Sequence, residues 1–310
     1  MTVSAATSLT LADRLPQVRG KYEFDAPLAK LTWFKVGGPA AVLFTPEDEE
    51  DLATFLRRLP REVPLLCLGV GSNLLIRDGG FDGVVIRFGK KFSDITVKDT
   101  EVMAGAGAPD IAVAAAARDA SLAGLEFLRG IPGTIGGAVR MNAGAYEREM
   151  ADVLVESRAL DRAGNAHRFT LQEMGYSYRH SDLAEDLIFT GAILQGTPDL
   201  KENIERRMQQ IADAREESQP LRTRTGGSTF KNPAGHKAWQ LIDAAGCRGL
   251  RVGGAHVSEK HCNFLINDDN GTAADLENLG EDVRRRVKET SGVGLEWEIR
   301  IVGDAKEDRS

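Results

Sequence analysis

The sequence predicts an α+β protein of two or three domains. The chain has 310 residues, which is more than one hydrophobic core usually serves. Short apolar runs bounded by turns, typical of strands, occur beside separate amphipathic stretches with helical spacing. With 42% hydrophobic and 27% charged residues, the composition is that of a globular protein. A ligand bound between domains is therefore a reasonable expectation.

The first half of the chain carries one amphipathic helix, one Ala-rich helix and several strands. The first helix is expected to begin at Pro46 and to bury Leu52, Phe55 and Leu56. The Ala-rich segment 111–120 is a helix by propensity, and the segment GIPGTIGGAVRMNAGAY at 130–146 is expected to be a loop. Strands are predicted at 65–68, 84–86, 95–97, 153–161 and 187–194.

The second half is expected to hold three helices and two strands. Asp199 and Glu202 resemble a capping box at the start of a connecting helix. Thr272 is placed to cap a later helix, and Gly292 to end it. The final run EWEIRIV predicts a strand with Trp297 on one face and both Glu296 and Glu298 on the other. A further helix and a strand are predicted near 237–245 and at 263–266.

Charge and targeting signals exclude several classes of partner. The net charge of −7, from 39 basic and 46 acidic residues, disfavours nucleic acid and anionic membranes. The first 20 residues lack the pattern of a signal peptide, and no apolar run is long enough to span a bilayer. We therefore expect a cytoplasmic protein. The three cysteines, Cys67, Cys247 and Cys262, lack the spacing of metal ligands and are expected to be reduced thiols. No metal site is predicted.

Two Gly-rich fragments suggest a Rossmann fold, but neither fits its fingerprint. In GVGSNLL at 69–75 and GAGAPD at 105–110, Leu74 and Asp110 stand where a third glycine must let the helix pack closely on the strand. Residues 69–74 can still form a nest of backbone N–H groups that binds an anion, or they can be an ordinary turn. The sequence leaves both readings open.

The segment 130–146 is a stronger indication of a ligand. A structureless loop with this many glycines costs much conformational entropy unless something orders it. Pro132 stiffens its start, and Asn142 offers an amide. Its glycines would let a flat ring or a diphosphate lie directly on the main chain: Gly130, Gly133, Gly136, Gly137 and Gly144.

Two shorter segments, YSYRHS at 176–181 and TGGSTFKNP at 225–233, concentrate reactive side chains. In the second, Ser228 follows two glycines, and Lys231 and Asn232 offer a charge and an amide to an anion. A hydrolytic serine would need a histidine brought in by folding, and the sequence places none there. Taken singly, Arg179 could be a surface ion pair, and Glu296 and Glu298 could lie on a solvated strand face. The three histidines that a hydrolase reading would draw on could be structural: His180, His256 and His261.

Taken together, these segments resemble the UDP-N-acetylenolpyruvoylglucosamine reductase family. The resemblance runs in order from TWFKVGGPA at 32–40 through LGVGSNLL, the 130–146 segment, YSYRHSD and GGSTFKNP to AGCRGLRVGGAHVSEKHCNFLIN and LEWEIR. It implies an FAD-binding domain of the p-cresol methylhydroxylase type in two subdomains, plus a C-terminal α+β substrate domain. The implied boundaries are 1–90 and 91–200 for the subdomains, 201–298 for the substrate domain, and 299–310 for a tail that returns to the FAD-binding part.

The resemblance also assigns roles to residues. The proton donor falls on Ser228, and the catalytic arginine and glutamate fall on Arg179 and Glu298. Substrate contacts fall on Tyr178, Lys231 and Asn232. The implied FAD contacts are Gly69, Gly71, Ser72, Asn73, Leu74, Ile131, Pro132, Gly133, Thr134, Gly136, Gly137, Asn142, Ala143 and Gly144. The chain lacks the tyrosine-bearing insertion that closes over the substrate in another form of the family, and Cys247 and Trp297 differ from residues frequent in relatives.

The implied activity is the NADPH-dependent reduction of UDP-N-acetylglucosamine enolpyruvate to UDP-N-acetylmuramate through FAD, in cell-wall precursor synthesis. We expect a monomer whose partners are NADPH and the UDP-sugar. Two other hypotheses are a flavin oxidase of the same fold and a catalytically dead sensor of a nucleotide sugar. The first needs an oxidisable substrate and often a covalent flavin tether, for which no matching histidine is evident. The second would be favoured by loss of Ser228, Arg179 or Glu298, and all three are present.

Overall fold

Three sheets of four or five strands organise the chain in the computed structural model, which describes residues 10–268 and 270–306. The first sheet has the order β1-β2-β5-β3, with β2, β5 and β3 parallel and β1 antiparallel to β2. Its core contains Phe44 and Phe55, whose ring centroids are 4.3 Å apart. The elements of this part are β1 Lys21–Pro27, β2 Pro39–Thr45, α1 Glu49–Arg58, β3 Leu65–Leu68, β4 Leu74–Ile76 and β5 Phe81–Arg87.

Helix α1 begins three residues later than predicted. Asp48 is its N-cap, and the Asp48 carboxylate accepts a hydrogen bond of 3.0 Å from the backbone N–H of Asp51. A side-chain acceptor at this position satisfies a backbone donor that has no partner within the helix. The predicted start at Pro46 was therefore wrong, whereas the buried stripe of Leu52, Phe55 and Leu56 is confirmed.

The second sheet is antiparallel, with the order β12-β11-β13-β7-β6. Helices α2, α3 and α4 pack around the core on this sheet, which includes Val113, Val139 and Leu194. The elements are β6 Ile95–Lys98, β7 Glu101–Gly105, α2 Asp110–Asp119, β8 Leu122–Ala123, α3 Ile135–Arg140, β9 Gly144–Ala145, β10 Arg148–Glu149, β11 Leu154–Leu160, β12 Ala166–Thr170, β13 Ile188–Gln195, β14 Thr197–Pro198 and α4 Lys201–Ser218.

Two predictions about this region were wrong. The segment 130–146 is not a loop throughout, because α3 occupies its middle and buries Ile135 and Val139. The capping box of Asp199 and Glu202 does not form, since Leu200 is the N-cap of α4 and no side chain caps it. The Asp199 carboxylate instead accepts hydrogen bonds from the Leu200 N–H and the Arg207 guanidinium, both at 2.7 Å.

The third sheet has the order β15-β18-β17-β16 and packs against α5 and α6. Thr272 caps α6 in a capping box with Asp275, and Gly292 ends it at φ 74°, as predicted. Of the predicted strand EWEIRIV, only its last three residues form a strand, and the predicted strand at 263–266 lies at 265–267. The elements are β15 Arg224–Thr225, α5 Ala238–Ala244, β16 Arg251–Val252, β17 Ala255–Val257, β18 Leu265–Asn267, α6 Ala273–Ser291 and β19 Arg300–Val302.

The last strand returns to the first part of the molecule. β19 pairs in parallel with β4, and the Arg300 N–H donates to the Asn73 carbonyl at 3.0 Å. Helix α4 buries Ile204 and Met208 in the core of the second sheet. The boundaries at 90, 200 and 298 stay predictions. The packing of α4 favours a later start for the third domain, after Ser218.

The cysteines are free, as expected, with Cys247 and Cys262 buried and Cys67 exposed. Within residues 10–268 and 270–306, no helix combines the length and the apolar character needed to cross a bilayer. Five short 3₁₀ helices complete the described elements: Ala12–Arg14, Leu28–Leu31, Lys90–Phe92, Glu126–Gly130 and Met150–Asp152.

Candidate active site

A cleft of about 460 Å³ lies where the three parts of the molecule meet. Its walls come from the β3–β4 turn, from the segment around α3, and from residues on either side of β15 and before β19. A second cavity of about 440 Å³ adjoins it between the first two sheets. The two cavities share lining residues, so they form one extended groove: Cys67, Gly69, Thr134, Gly137, Arg140 and Arg300.

The β3–β4 turn presents free backbone donors to this cleft. Within the described part of the chain, the N–H groups of residues 70–73 have no hydrogen-bond acceptor. Gly71 adopts φ 65°, and a Cβ there would lie 2.6 Å from the Leu31 carbonyl oxygen, so the turn requires glycine. Consecutive unpaired N–H groups facing a cavity are the arrangement that binds an anion. Of the two readings that the sequence left open, the geometry favours the nest.

The start of α3 forms a second part of the cleft wall. The N–H groups of Ile135 and Gly136 donate to the carbonyls of Ala108 and Ala106 at 3.0 and 2.9 Å. These bonds hold the helix start against the second sheet. A Cβ on Gly137 would meet no atom within 4 Å, so this glycine leaves main chain exposed to the groove.

The predicted FAD contacts line the cleft with two exceptions. Gly136 lines only the adjoining cavity. Asn142 is fully buried, and its amide is used elsewhere: Nδ2 donates to the Ser177 carbonyl at 3.1 Å, and Oδ1 accepts from the Ala151 N–H at 2.9 Å. The residues that do line the cleft are Gly69, Gly71, Ser72, Asn73, Leu74, Ile131, Pro132, Gly133, Thr134, Gly137, Ala143 and Gly144.

Arg179 and Glu298 meet in the cleft from opposite sides. Nε of Arg179 donates to Oε1 of Glu298 at 3.3 Å, and both side chains are about 15% exposed. The guanidinium also donates to the carbonyls of Asn142 at 3.4 Å and Gly144 at 2.6 Å. The Asn142 backbone carbonyl therefore helps to hold the Arg179 guanidinium in the cleft. Burial raises the pKa of Glu298, and the charges of Arg179 and Lys231 oppose this shift.

Ser228 lines the same cleft and has no histidine beside it. In the described residues its side chain makes no hydrogen bond. The histidines that a hydrolase would need are engaged elsewhere, since His180 and His256 contact Asp182 and Asp268 at 3.1 Å. His261 Nδ1 accepts from the Asn263 N–H at 3.3 Å. The geometry therefore gives a hydrolase reading no support.

The predicted substrate residues divide between the cleft and its mouth. Lys231 lines the cleft, with Nζ 3.7 Å from the Glu296 carboxylate. Tyr178 and Asn232 are exposed, and the Tyr178 hydroxyl accepts from the Asn232 N–H at 3.4 Å. The Asn232 side chain is also structural, because its Oδ1 accepts from the Ala238 N–H at 2.9 Å at the start of α5.

Two buried residues in or beside this site were not predicted from the sequence to be functional. Asp110 lines the cleft with both carboxylate oxygens unpartnered, and burial raises its pKa well above the ordinary value. Asn263 holds the segment next to Ser228. Asp110 was noticed only as a residue that breaks the Rossmann pattern. Neither carried a local signal, because both act through distant parts of the chain.

The described residues offer no group of three or more histidine, cysteine, aspartate or glutamate side chains that could hold a metal ion. The groove instead combines backbone donors, glycines and an unpartnered buried carboxyl with an arginine–glutamate pair and a free serine. A family model described as "FAD binding domain" matches residues 39–170, which contain the β3–β4 turn and the segment around α3. Fold and site therefore define a flavoprotein with an FAD-binding domain of the p-cresol methylhydroxylase type and a C-terminal α+β domain, as predicted.

The relatives identify the family within this class. A model described as "UDP-N-acetylenolpyruvoylglucosamine reductase, C-terminal domain" matches residues 219–302. The curated UDP-N-acetylenolpyruvoylglucosamine reductase of Parvibaculum lavamentivorans is 62% identical over 98% of each chain. That of Azorhizobium caulinodans is 59% identical over 98% of this chain and 99% of its own. The chain belongs to the UDP-N-acetylenolpyruvoylglucosamine reductase family.

A solved structure agrees with this assignment. The crystal structure of UDP-N-acetylenolpyruvylglucosamine reductase from Thermus caldophilus superposes with a TM-score of 0.79 and 38% sequence identity. The similarity covers 92% of this chain and 99% of that one. The resemblance predicted from the ordered motifs is thus confirmed over nearly the whole chain.

Proposed function

We propose that Arg179, Ser228 and Glu298 are the catalytic residues with which this chain reduces UDP-N-acetylglucosamine enolpyruvate to UDP-N-acetylmuramate. The reaction uses NADPH and FAD and belongs to peptidoglycan precursor synthesis, which is the activity of the family. The observation that supports the residue assignment is that the Arg179–Glu298 pair and Ser228 line one cleft together with both Gly-rich walls.

The groove fits FAD in chemistry and in shape. The free N–H groups of residues 70–73 would bind the diphosphate, since a nest of this kind suits an anion. The exposed main chain at Gly137 would let a flat or extended group lie close to the backbone. Both carboxyl oxygens of Asp110 are buried without a hydrogen-bond partner, so a polar group of the bound cofactor would supply one. The chemistry that bound FAD supplies is the relay of a hydride from NADPH to C3 of the enolpyruvyl ether.

Arg179 and Glu298 are suited to stabilise the charge that follows hydride transfer. Hydride at C3 leaves an electron pair at C2, with negative charge shared by the adjoining carboxylate. The Arg179 cation is held in place by two backbone carbonyls, so it needs little reorganisation to meet this charge. When protonated, the Glu298 carboxyl can donate a hydrogen bond to the same developing anion, and the burial that raises its pKa acts in that direction.

Ser228 then delivers a proton to C2. Its hydroxyl has no acceptor among the described residues, so it is free to point at the substrate. A carbanionic carbon is far more basic than an alkoxide, which makes serine an adequate acid in a site that keeps water from competing. The transfer completes the reduction of the carbon–carbon double bond: hydride at C3, proton at C2.

Lys231, Asn232 and Tyr178 would bind the UDP-sugar. Lys231 supplies a charge inside the cleft, whereas the Tyr178–Asn232 contact stands at its mouth. The chain has no tyrosine-bearing insertion between YSYRHS and LIFTGAIL.

The cellular setting forms part of the proposal. A monomer in the cytoplasm, with NADPH and the UDP-sugar as its partners and neither nucleic acid nor membrane, agrees with the negative net charge. Both small molecules are highly charged and do not cross membranes unaided. Analytical ultracentrifugation of the FAD-loaded protein measures the mass directly; a dimer would contradict the monomer.

An anaerobic titration tests the function. The yellow protein is mixed first with NADPH and then with the enolpyruvyl sugar nucleotide, and the flavin absorbance is followed. We expect the absorbance to bleach with NADPH and to recover with the sugar nucleotide in a one-to-one ratio. Recovery with oxygen but not with the sugar nucleotide would indicate an oxidase and contradict the proposal.

A further inference from the structure

A buried asparagine holds the segment that follows Ser228. Asn263 is 4% exposed, and both the oxygen and the nitrogen of its side-chain amide bond the backbone of Phe230. Oδ1 accepts from the Phe230 N–H at 3.0 Å, and Nδ2 donates to the Phe230 carbonyl at 2.8 Å. The Asn263 carbonyl also accepts from the Thr229 N–H at 2.8 Å. Three hydrogen bonds thus tie residues 229–230 to one residue in the loop before β18.

The other edge of this segment carries the catalytic glutamate. The Glu298 N–H donates to the Thr229 carbonyl, and the Lys231 N–H donates to the Glu296 carbonyl, both at 2.9 Å. Phe230 and Trp297 form an antiparallel bridge between these bonds. The segment 229–231 therefore lies between Asn263 on one side and residues 296–298, which precede β19, on the other.

This arrangement fixes three site residues at once. Ser228 immediately precedes the held segment, Lys231 ends it, and Glu298 is in register with it. Without the Asn263 amide, the N–H and C=O of Phe230 would be buried without partners, which is unfavourable because each group loses its hydrogen bond without regaining one to water. The segment would shift to find other partners and would carry Ser228 with it.

We propose that Asn263 is a positioning residue for proton transfer, setting the place of Ser228 relative to Glu298. This inference rests on the proposed function. It assigns Asn263 no contact with substrate or FAD, and it predicts a selective effect. Proton delivery to the substrate should suffer, whereas hydride transfer from NADPH, which needs nothing from Ser228, should not.

Asn267 provides a matched control in the same sheet. It is also 4% exposed, and its Nδ2 donates to the Phe34 carbonyl at 2.7 Å. That bond reaches the first part of the molecule and does not involve residues 228–231. Asn267→Ala removes a buried amide bond of the same kind without touching the segment beside Ser228.

The test is stopped-flow kinetics on the FAD-loaded protein. For Asn263→Ala we expect reduction by NADPH within about twofold of the unchanged protein, and reoxidation by the enolpyruvyl sugar slower by about 10²-fold, the scale of a 1 Å misplacement. Asn267→Ala should also lower the unfolding temperature, by less because it removes one hydrogen bond rather than two, and should leave both rates near normal. Equal slowing of reoxidation in the two variants, or equal slowing of both half-reactions in Asn263→Ala, would overturn the proposal.

A second variant keeps the test informative if Asn263→Ala fails to fold. Asn263→Asp retains the acceptor for the Phe230 N–H and regains the donor only when its carboxyl is protonated. Its reoxidation rate should rise as the pH falls, unlike that of the unchanged protein; a parallel pH profile would contradict the positioning role. If the unchanged protein is not reoxidised by the sugar nucleotide at all, the proposed function fails, and that result is distinct from failure of the Asn263 inference.

Discussion

Arg179 sits in an unusual backbone conformation for its residue type. It has φ 55°, in a turn closed by two hydrogen bonds between Ser177 and His180 of 3.1 and 3.2 Å. A non-glycine residue in this region costs about 1–3 kcal/mol and persists only where its surroundings determine it. Here the hydrogen bonds from the Arg179 guanidinium to Asn142, Gly144 and Glu298 hold the residue in this conformation. The turn projects the guanidinium into the cleft.

The two glutamates before β19 differ in environment although the sequence placed them on one face. The Glu298 side chain is 14% exposed and bonds Arg179, whereas that of Glu296 is 78% exposed. We expect Glu298→Gln to reduce turnover strongly, by about 10²-fold or more, because a positioned acid is lost. Glu296→Gln should change turnover weakly. Steady-state kinetics decide this, and comparable losses in both folded variants would show that the assignment to Glu298 is wrong.

Asp110 should make stability depend on pH. Its folded-state pKa is raised well above the ordinary value because burial disfavours the charged form. Between the ordinary and the raised pKa the native state binds more protons than the unfolded state, so stability falls as pH rises. Asp110→Asn cannot ionise and should flatten this fall by up to about 1.4 kcal/mol per pH unit. Denaturant unfolding from pH 4 upward measures it, and parallel curves would refute the account.

At the scale of elements, α6 is shaped by the chain segment that precedes β19. A Cβ on Gly280, in the middle of α6, would lie 2.0 Å from Cη2 of Trp297. The Trp297 ring also contacts the Phe230 ring, two residues after Ser228, with centroids 4.9 Å apart and the ring planes tilted by 44°. Glycine has a lower helix propensity than alanine, but only glycine leaves room for the Trp297 ring against the backbone of α6.

Gly280→Ala should therefore destabilise the protein although alanine is the better helix former. Propensity favours the substitution by about 1 kcal/mol, but overpacking against the ring costs about 1–3 kcal/mol, so we expect a net loss. In a Trp297→Leu background the ring is gone, and the same substitution should become neutral or stabilising. Unfolding temperatures of the four proteins give the answer. A loss of equal size in both backgrounds would contradict the contact.

The elements that the sequence predicted best are those with local signals. Thr272 and Asp275 form the capping box of α6, and Gly292 ends it, because all three act within one helix. The pattern at Asp199 failed because the Asp199 carboxylate instead accepts a hydrogen bond from the guanidinium of Arg207, about two helical turns further along the chain. The motifs also identified most of the cleft wall. They could not show that Asn142 points inward or that Asp110 and Asn263 belong to the site, since those facts depend on contacts made between distant segments.

At the scale of the whole molecule, the groove joins parts that are distant in sequence. The Asp78 carboxylate accepts from the N–H groups of Ala273 and Ala274 at 3.0 Å, which links the first part of the chain to the start of α6. β19 pairs with β4 beside the nest. A ligand that lies in the groove contacts several of these chain segments at once, so its binding should stabilise the folded protein.

We expect FAD to be bound tightly but without a covalent link. No covalent tether is predicted from the sequence, and the groove offers backbone donors and glycines for its phosphates. Acid precipitation should leave the yellow colour in the supernatant, whereas colour in the pellet would disprove noncovalent binding. Adding FAD at 100 times its Kd to the flavin-free protein should also increase the free energy of unfolding by about 2.7 kcal/mol.

We expect Ser228 to be the proton donor in a site where hydride and proton arrive by separate routes. Stopped-flow absorbance on Ser228→Ala tests it, because only one of the two half-reactions needs a proton at a substrate carbon. Reduction by NADPH should proceed at nearly the normal rate, and reoxidation by the enolpyruvyl sugar should slow by about 10² to 10⁴-fold. Slow reduction with normal reoxidation would instead make Ser228 a nicotinamide-binding residue and contradict the account.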